Sequence, residues 1–94
     1  MENRKNSKLG LMKDDEILID EFSRNSIEKV KIRFTRFQGR EFLDVRVFIS
    51  PPPGSQEADK PTHKGICLRL DLVPKLLESL KKAQKILDEG EGSR

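Results

Sequence analysis

Ninety-four residues make one small domain, whose core leaves little stability to spare. Charged residues are 37% and hydrophobic residues 34%, so part of the chain is expected to lie outside any packed core. A single cysteine, Cys67, excludes an internal disulfide and a cysteine-cluster metal site, and a lone His63 without an H-E-x-x-H spacing argues against zinc.

The formal charge is +3 with a pI near 9.2, and its placement says more than its size. Ten Lys/Arg stand against five Asp/Glu between Arg24 and Arg69, whereas the rest of the chain carries nine against eleven. Positive charge concentrated on one region is the footprint expected of a nucleic-acid binder. No apolar run approaches the ~18 residues of a membrane span, and no signal-peptide pattern opens the chain. The expectation is a soluble protein without a membrane partner, cytoplasmic (nucleoid-associated if bacterial) or nuclear if eukaryotic.

In chain order, residues 1–15 are polar and rich in Lys, Asn and Asp, and read as a disordered basic arm. The alternative is an arm that touches nucleic acid through Arg4, Lys5, Lys8 and Lys13. Residues 16–89 are expected to form one nucleic-acid-binding and dimerisation domain, for the reasons that follow, and residues 90–94 a frayed tail. Glu16 to Phe22 reads as a first strand, and Ser23 to Glu28 as a polar connection.

Lys29 to Ser50 reads as two strands around a bend at Arg36 to Arg40. Val30, Ile32 and Phe34 alternate with Lys31, Arg33 and Thr35; Leu43, Val45, Val47 and Ile49 alternate with Phe42, Asp44, Arg46 and Phe48. Period two marks strands with one face buried, and Gly39 supplies the freedom a tight bend needs. The other face carries cations and aromatics, which can hold phosphates and stack on unpaired bases. A solvated surface is the alternative reading of that face.

Pro51-Pro52-Pro53-Gly54 ends the third strand, because consecutive prolines cannot donate to a ladder. A connection of about a dozen residues follows, closed by a turn at Lys60 to Gly65. Ile66, Leu68 and Leu70 give a fourth strand. Asp71 is the expected N-cap of a helix from Leu72 to about Glu89, with Pro74 in its first turn and Gly90 as its stop. The apolar residues of this helix spread over about 180°, nearly twice the roughly 100° stripe that covers one sheet. After the helix docks on its own strands, the surplus predicts a two-fold dimer through Leu76, Leu80, Ala83 and Leu87; the alternative is a helix buried more deeply by the N-terminal arm.

The string Phe37-Gln38-Gly39-Arg40, then Leu43-Asp44-Val45-Arg46, then Lys60-Pro61 and Lys64-Gly65-Ile66-Cys67-Leu68 before a terminal helix resembles the DNA-binding domain of the positive-cofactor-four family of transcriptional coactivators, in its short bacterial form. The match runs from about Glu16 to Leu87. It implies an α+β fold, with a four-stranded curved antiparallel sheet followed by one C-terminal helix, assembled as a homodimer that binds single-stranded DNA with little sequence preference. Carried over by position, the turn aromatic falls on Phe37, beside Gln38, Gly39 and Arg40, the strand arginine on Arg46, and the loop cations on Lys60 and Lys64. Gly65 would let backbone approach the phosphates closely. Two positions depart: Ile49 stands where the family has a Trp, with Phe48 beside it, and Gln38 replaces a lysine. The proline-rich stretch after Ser50 is also longer than the family's.

The expected function is therefore non-catalytic, sequence-tolerant binding of single-stranded DNA, with no cofactor. Phe37 and Phe42 or Phe48 would stack on bases, while Lys31, Arg33, Arg36, Arg40, Arg46, Lys60 and Lys64 neutralise phosphates. The transcription machinery is a further expected partner. Two other readings fit the same residues: an RNA chaperone using the same face, and a protein-interaction module acting through the helix stripe and the proline-rich loop. An enzyme is least expected, because no carboxylate pair, phosphate loop or nucleophile–base pair stands out.

Overall fold

The structure is a computed structural model that describes residue 9 and residues 15–92, without the side chains of residues 91 and 92. The predicted arm, apart from Leu9 and Asp15, lies outside the described residues. Four strands form one antiparallel meander in the order β1 (Glu16–Ser23), β2 (Glu28–Phe37), β3 (Arg40–Ile49) and β4 (Lys60–Arg69). A 3₁₀ turn, Leu70–Leu72, leads into the single helix α1, Val73–Gly92.

The period-two reading of the central hairpin holds. Val30 faces Val47, Ile32 faces Val45 and Phe34 faces Leu43, while Lys31 faces Arg46 and Arg33 faces Asp44. Facing residues share a side of the sheet, so the apolar set and the cationic set occupy opposite faces. The bend is tighter than the sequence suggests, because Arg36 and Phe37 finish β2 and Arg40 opens β3. Only Gln38 and Gly39 turn, both left-handed at φ 51° and 80°, as a two-residue hairpin requires. The β1–β2 connection is held by Asn25, whose Oδ1 accepts from the Ile27 N–H (3.0 Å) and the Glu28 N–H (2.9 Å).

Strand β4 begins six residues before the expected Ile66. Pro61 and Gly65 suggest a turn in sequence, yet β4 is an edge strand, where a missing N–H is tolerated. A bulge absorbs the extra residues: Arg46 pairs with Gly65, but Phe48 pairs with Pro61. Thr62 pins the bulge, its hydroxyl donating to the Val47 carbonyl (2.7 Å) and accepting from the Lys64 N–H (3.1 Å). Gly65, at φ 148°, is required by the neighbouring strand, since a Cβ there would fall on the Val45 carbonyl oxygen and Arg46 Cα. Its role is close strand packing.

Helix α1 departs from expectation at both ends. Asp71 caps nothing; it lies in the 3₁₀ turn and accepts from Arg69 Nε (3.2 Å). Gly90 does not stop the helix, which runs on to Gly92, because a glycine in helical conformation costs only about 1 kcal/mol. The larger departure is the packing. α1 does not lie along its own sheet; it rests on the 3₁₀ turn, and its first residues close an apolar groove lined by Leu9, Phe34, Leu70, Val73 and Pro74. Leu77, Leu80, Ile86 and Leu87 stand exposed along the helix, and Ile17, Phe22, Ile49 and Ile66 are exposed on the strands. Among the described residues the buried apolar core is Leu43, Val47 and Phe48, all on β3.

Candidate nucleic-acid interface

Register gathers one series of side chains on the cationic face: Lys29, Lys31, Arg33 and Phe37 from β2, and Arg40, Phe42, Asp44, Arg46 and Phe48 from β3. Gly65 and Cys67 of β4 sit opposite Arg46 and Asp44. Phe37 stands at the hairpin end with 64% of its surface exposed, beside Arg40, which has no carboxylate partner among the described residues.

The middle of the face is a buried charge network. Asp44 is only 3% exposed. It accepts from Arg33 Nη2 (2.6 Å), Arg46 Nη2 (2.8 Å) and Arg46 Nε (3.1 Å). Burial alone would raise its pKa, but the hydrogen bonds from Arg46 and Arg33 outweigh that and hold the carboxyl below its ordinary range. Arg46 Nη1 also donates to the Thr62 carbonyl (3.0 Å), and Arg33 Nη1 to Glu16 Oε1 (2.6 Å). Both guanidiniums are therefore fixed in position. Arg33 Nε is buried without a hydrogen-bond partner.

Phe48 is not a stacking platform. It is 6% exposed, with Lys31 Nζ 4.7 Å and Arg33 Cζ 5.1 Å from its ring centre. Those cation–π contacts use the ring inside the sheet rather than offering it to a base. Nor does Phe48 take the place of the missing aromatic at Ile49, because the β2–β3 register runs unbroken through both and leaves them on opposite faces.

The remaining candidate cations are dispersed. Arg36 pairs with Glu41 at a register position of the apolar side, away from the Lys31–Arg33 series. Lys60 stands at the far end of β4 from the hairpin turn, 3.6 Å from Glu57. Lys64 lies 3.5 Å from Glu28 Oε2. The Cys67 thiol is exposed, and partial burial with the nearby Asp44 charge pushes its pKa up, so it stays protonated at neutral pH.

Sequence reasoning missed three contributors. Lys29 continues the Lys31–Arg33 alternation by one step and was legible from period two. Thr62 and Asp59 carry no local signal, because each acts on residues distant in the chain: Thr62 on β3, and Asp59 on Lys29 and Lys31. Among the described residues no group of three or more His, Cys, Asp or Glu is placed to hold a metal, and no helix is long and apolar enough to cross a membrane.

A four-strand meander with a cationic, aromatic-tipped face and one terminal helix places the chain among small sheet-and-helix domains. Residues 25–79 match the family model described as Transcriptional Coactivator p15 (PC4), more than half of the chain, and the protein belongs to that family. Two crystal forms of a PC4 homologue from Burkholderia pseudomallei share the fold. The tetragonal form is 23% identical with a TM-score of 0.63, over 74% of this chain and 98% of that one. The orthorhombic form is 21% identical with a TM-score of 0.63, over 80% and 95%. No curated protein matches the chain.

Proposed function

We propose that this protein binds single-stranded DNA, largely without sequence preference and without catalysis, and acts in transcription as a coactivator-like regulator. The observation that carries the reading is the exposed Phe37 ring beside Arg40 at the head of a face that continues through Arg33 and Arg46. A ring there stacks on any base, and cations along a ten-residue strand follow a backbone over about 30 Å. Gln38 and Gly39 hold the ring in place, Lys31, Lys60 and Lys64 extend the positive track, and the basic segment favours phosphate over a neutral partner.

The binding unit is a dimer. Leu76, Leu80, Ala83 and Leu87 repeat at spacings of four, three and four, the seam of a helix pair, with Leu76 half-buried and Leu80, Ala83 and Leu87 exposed. A second copy buries that seam together with the exposed apolar strand residues. Sedimentation equilibrium is then expected to return twice the 10.8 kDa chain mass.

Fluorescence anisotropy with labelled oligo(dT), against duplex of equal length and across a salt series, tests the reading. Single-strand binding is expected to be stronger than duplex binding and to weaken with salt by about −0.7 in the log–log slope per phosphate neutralised. No binding at low salt by folded, dimeric protein would overturn it. In that case the exposed Leu77, Leu80 and Ile86 and the proline-rich loop favour a protein partner. Parallel titration with oligo(U) separates RNA from DNA preference.

A further inference from the structure

The proline-rich connection between β3 and β4 ends on Asp59, whose carboxylate reaches back over the cationic face. One oxygen, Asp59 Oδ2, lies 3.0 Å from Lys31 Nζ and 3.3 Å from Lys29 Nζ. A single anionic oxygen bridging two ammonium groups is the arrangement a nucleic-acid phosphate oxygen would make with the same lysines. The lysines are fixed from other sides as well. Lys31 lies over the Phe48 ring and 3.6 Å from Glu21, and the backbone of both belongs to β2, next to the central strand.

The loop is shaped to deliver this carboxylate. Pro52 to Ser55 form a turn closed by the Ser55 N–H on the Pro52 carbonyl (3.0 Å), with Gly54 left-handed at φ 88°. The Glu57 N–H donates to Ser55 Oγ (3.1 Å). Three prolines restrict the loop before it folds, so less entropy is lost in holding Asp59 on the lysines. Residues 52–58 are exposed and meet β4 through the exposed Glu57–Lys60 pair at 3.6 Å, so the loop can leave at little cost to the sheet.

We propose that Lys29 and Lys31 form a phosphate subsite whose resident occupant in the free protein is Asp59, and that a nucleic-acid strand enters it by displacing that carboxylate. The inference rests on the nucleic-acid-binding reading above and adds to it a subsite and a competitor. Its consequence is a selectivity threshold: a ligand must supply its own anion at this point to open the site, so neutral or short ligands leave the loop closed. The hydrogen bond from Lys31 also holds the Asp59 carboxyl below its ordinary range, in keeping with an anion seated between two cations.

Oligo(dT) anisotropy at low salt with five proteins tests the proposal: the natural chain, Asp59→Asn, Asp59→Glu, the double variant Lys29→Ala with Lys31→Ala, and that double variant combined with Asp59→Asn. Asp59→Asn is expected to tighten binding about fivefold, the summed effect of two partly exposed ion pairs, and Asp59→Glu to bind as the natural chain does. In the lysine-free background the Asp59 substitution is expected to change nothing. An unchanged or weaker affinity for Asp59→Asn overturns the proposal, and so does an equal gain with and without the lysines, which would be a general charge effect. A second measurement needs no variant: the ¹³C carboxyl resonance of Asp59 should move as oligo(dT) is added. A stationary resonance while the complex forms overturns the displacement but leaves the binding reading standing. If neither the natural chain nor Asp59→Asn binds oligo(dT) while folded and dimeric, both fail together.

Discussion

Replacing Asp44 with alanine removes the carboxylate that both central arginines share. Asp44 accepts from Arg33 Nη2 at 2.6 Å and from Arg46 at 2.8 and 3.1 Å, on a strand whose neighbours bury it almost completely. Deleting one partner of a buried ion pair costs about 3–5 kcal/mol, because the other charge stays desolvated. The lower end applies here, since Arg33 keeps Glu16 at 2.6 Å and Arg46 keeps the Thr62 carbonyl at 3.0 Å. A loss of about 3 kcal/mol is a large part of the roughly 5–15 kcal/mol that holds a small domain folded. In a chain of this length it lowers Tm by about 12–24 °C. Far-UV circular dichroism melts at equal protein concentration measure it, the concentration held fixed because the proposed self-association would shift Tm. Adding Arg33→Met and Arg46→Met to Asp44→Leu should recover most of the loss, as apolar replacement of buried ion networks does. A fall of less than about 1 kcal/mol for Asp44→Ala would mean an ordinary surface pair and refute the reasoning.

Acid should act through the same kind of group. Asp44, Asp59 and Glu28 are all held below their ordinary pKa, Asp59 by the Lys31 hydrogen bond, Glu28 by Asn25, and Asp44 by Arg46 and Arg33 against its burial. Their stabilisation is fully present above the ordinary carboxylate pKa near 4 and is lost as pH falls through the lower folded values. Tm should therefore be flat from pH 7 to about 5 and drop below about 4; a flat profile down to pH 2 contradicts the assignment. Gly65→Ala should cost at least about 2 kcal/mol, because its Cβ meets the Val45 and Arg46 backbone, whereas Gly39→Ala meets open space and costs only about 1 kcal/mol of left-handed strain. Denaturant melts separate the two, and equal losses would exclude the strand clash. Phe37→Ala should weaken oligo(dT) binding by about 1–3 kcal/mol with Tm unchanged. Phe48→Ala should instead destabilise by about 3–5 kcal/mol, and the reverse pattern would exchange their roles.

What was legible in the sequence was local. Period two assigned the facing pairs from Val30–Val47 to Thr35–Phe42 to their faces, because alternation is a property of consecutive residues, whereas Arg36–Glu41 and Phe37–Arg40 fell in the stretch that reads as the bend. The start of β4 was not legible, because Pro61 and Gly65 are turn residues by composition. They are tolerated for reasons held in other strands: an unpaired edge for one and a crowding β3 backbone for the other. The burial of Phe48 and Asp44 was likewise hidden. Alternation places them on the polar face, but Lys31, Arg33 and Arg46 fold their side chains over that face and enclose it. The helix stripe announced its excess width, yet no residue says whether the sheet or a second copy covers it. Asp59 pairs with lysines about thirty positions earlier, and no spacing rule reaches that far.

These pairings bear on how binding energy would be supplied. Seven lysines and arginines counted from sequence would give a single-strand salt slope near −5 if each neutralised a phosphate. The structure has already committed several of them: Arg33 and Arg46 to Asp44, Lys31 to Asp59 and Glu21, Lys64 to Glu28 and Lys60 to Glu57. A guanidinium held this way is not lost to a ligand, since each has five N–H groups and Asp44 with Thr62 occupies three on Arg46. Its remaining donors are positioned in advance, so contact with a phosphate costs little side-chain entropy. The gain in charge neutralisation is smaller, because the strand meets a cation that a carboxylate already balances. On the proposed reading, stacking on Phe37 and contact with Arg40 would then carry a larger share of affinity than the cation count implies, and the salt slope should fall well short of −5. On that same reading, a face built this way would favour unpaired bases, which offer a ring to stack, over a duplex, whose bases are already stacked.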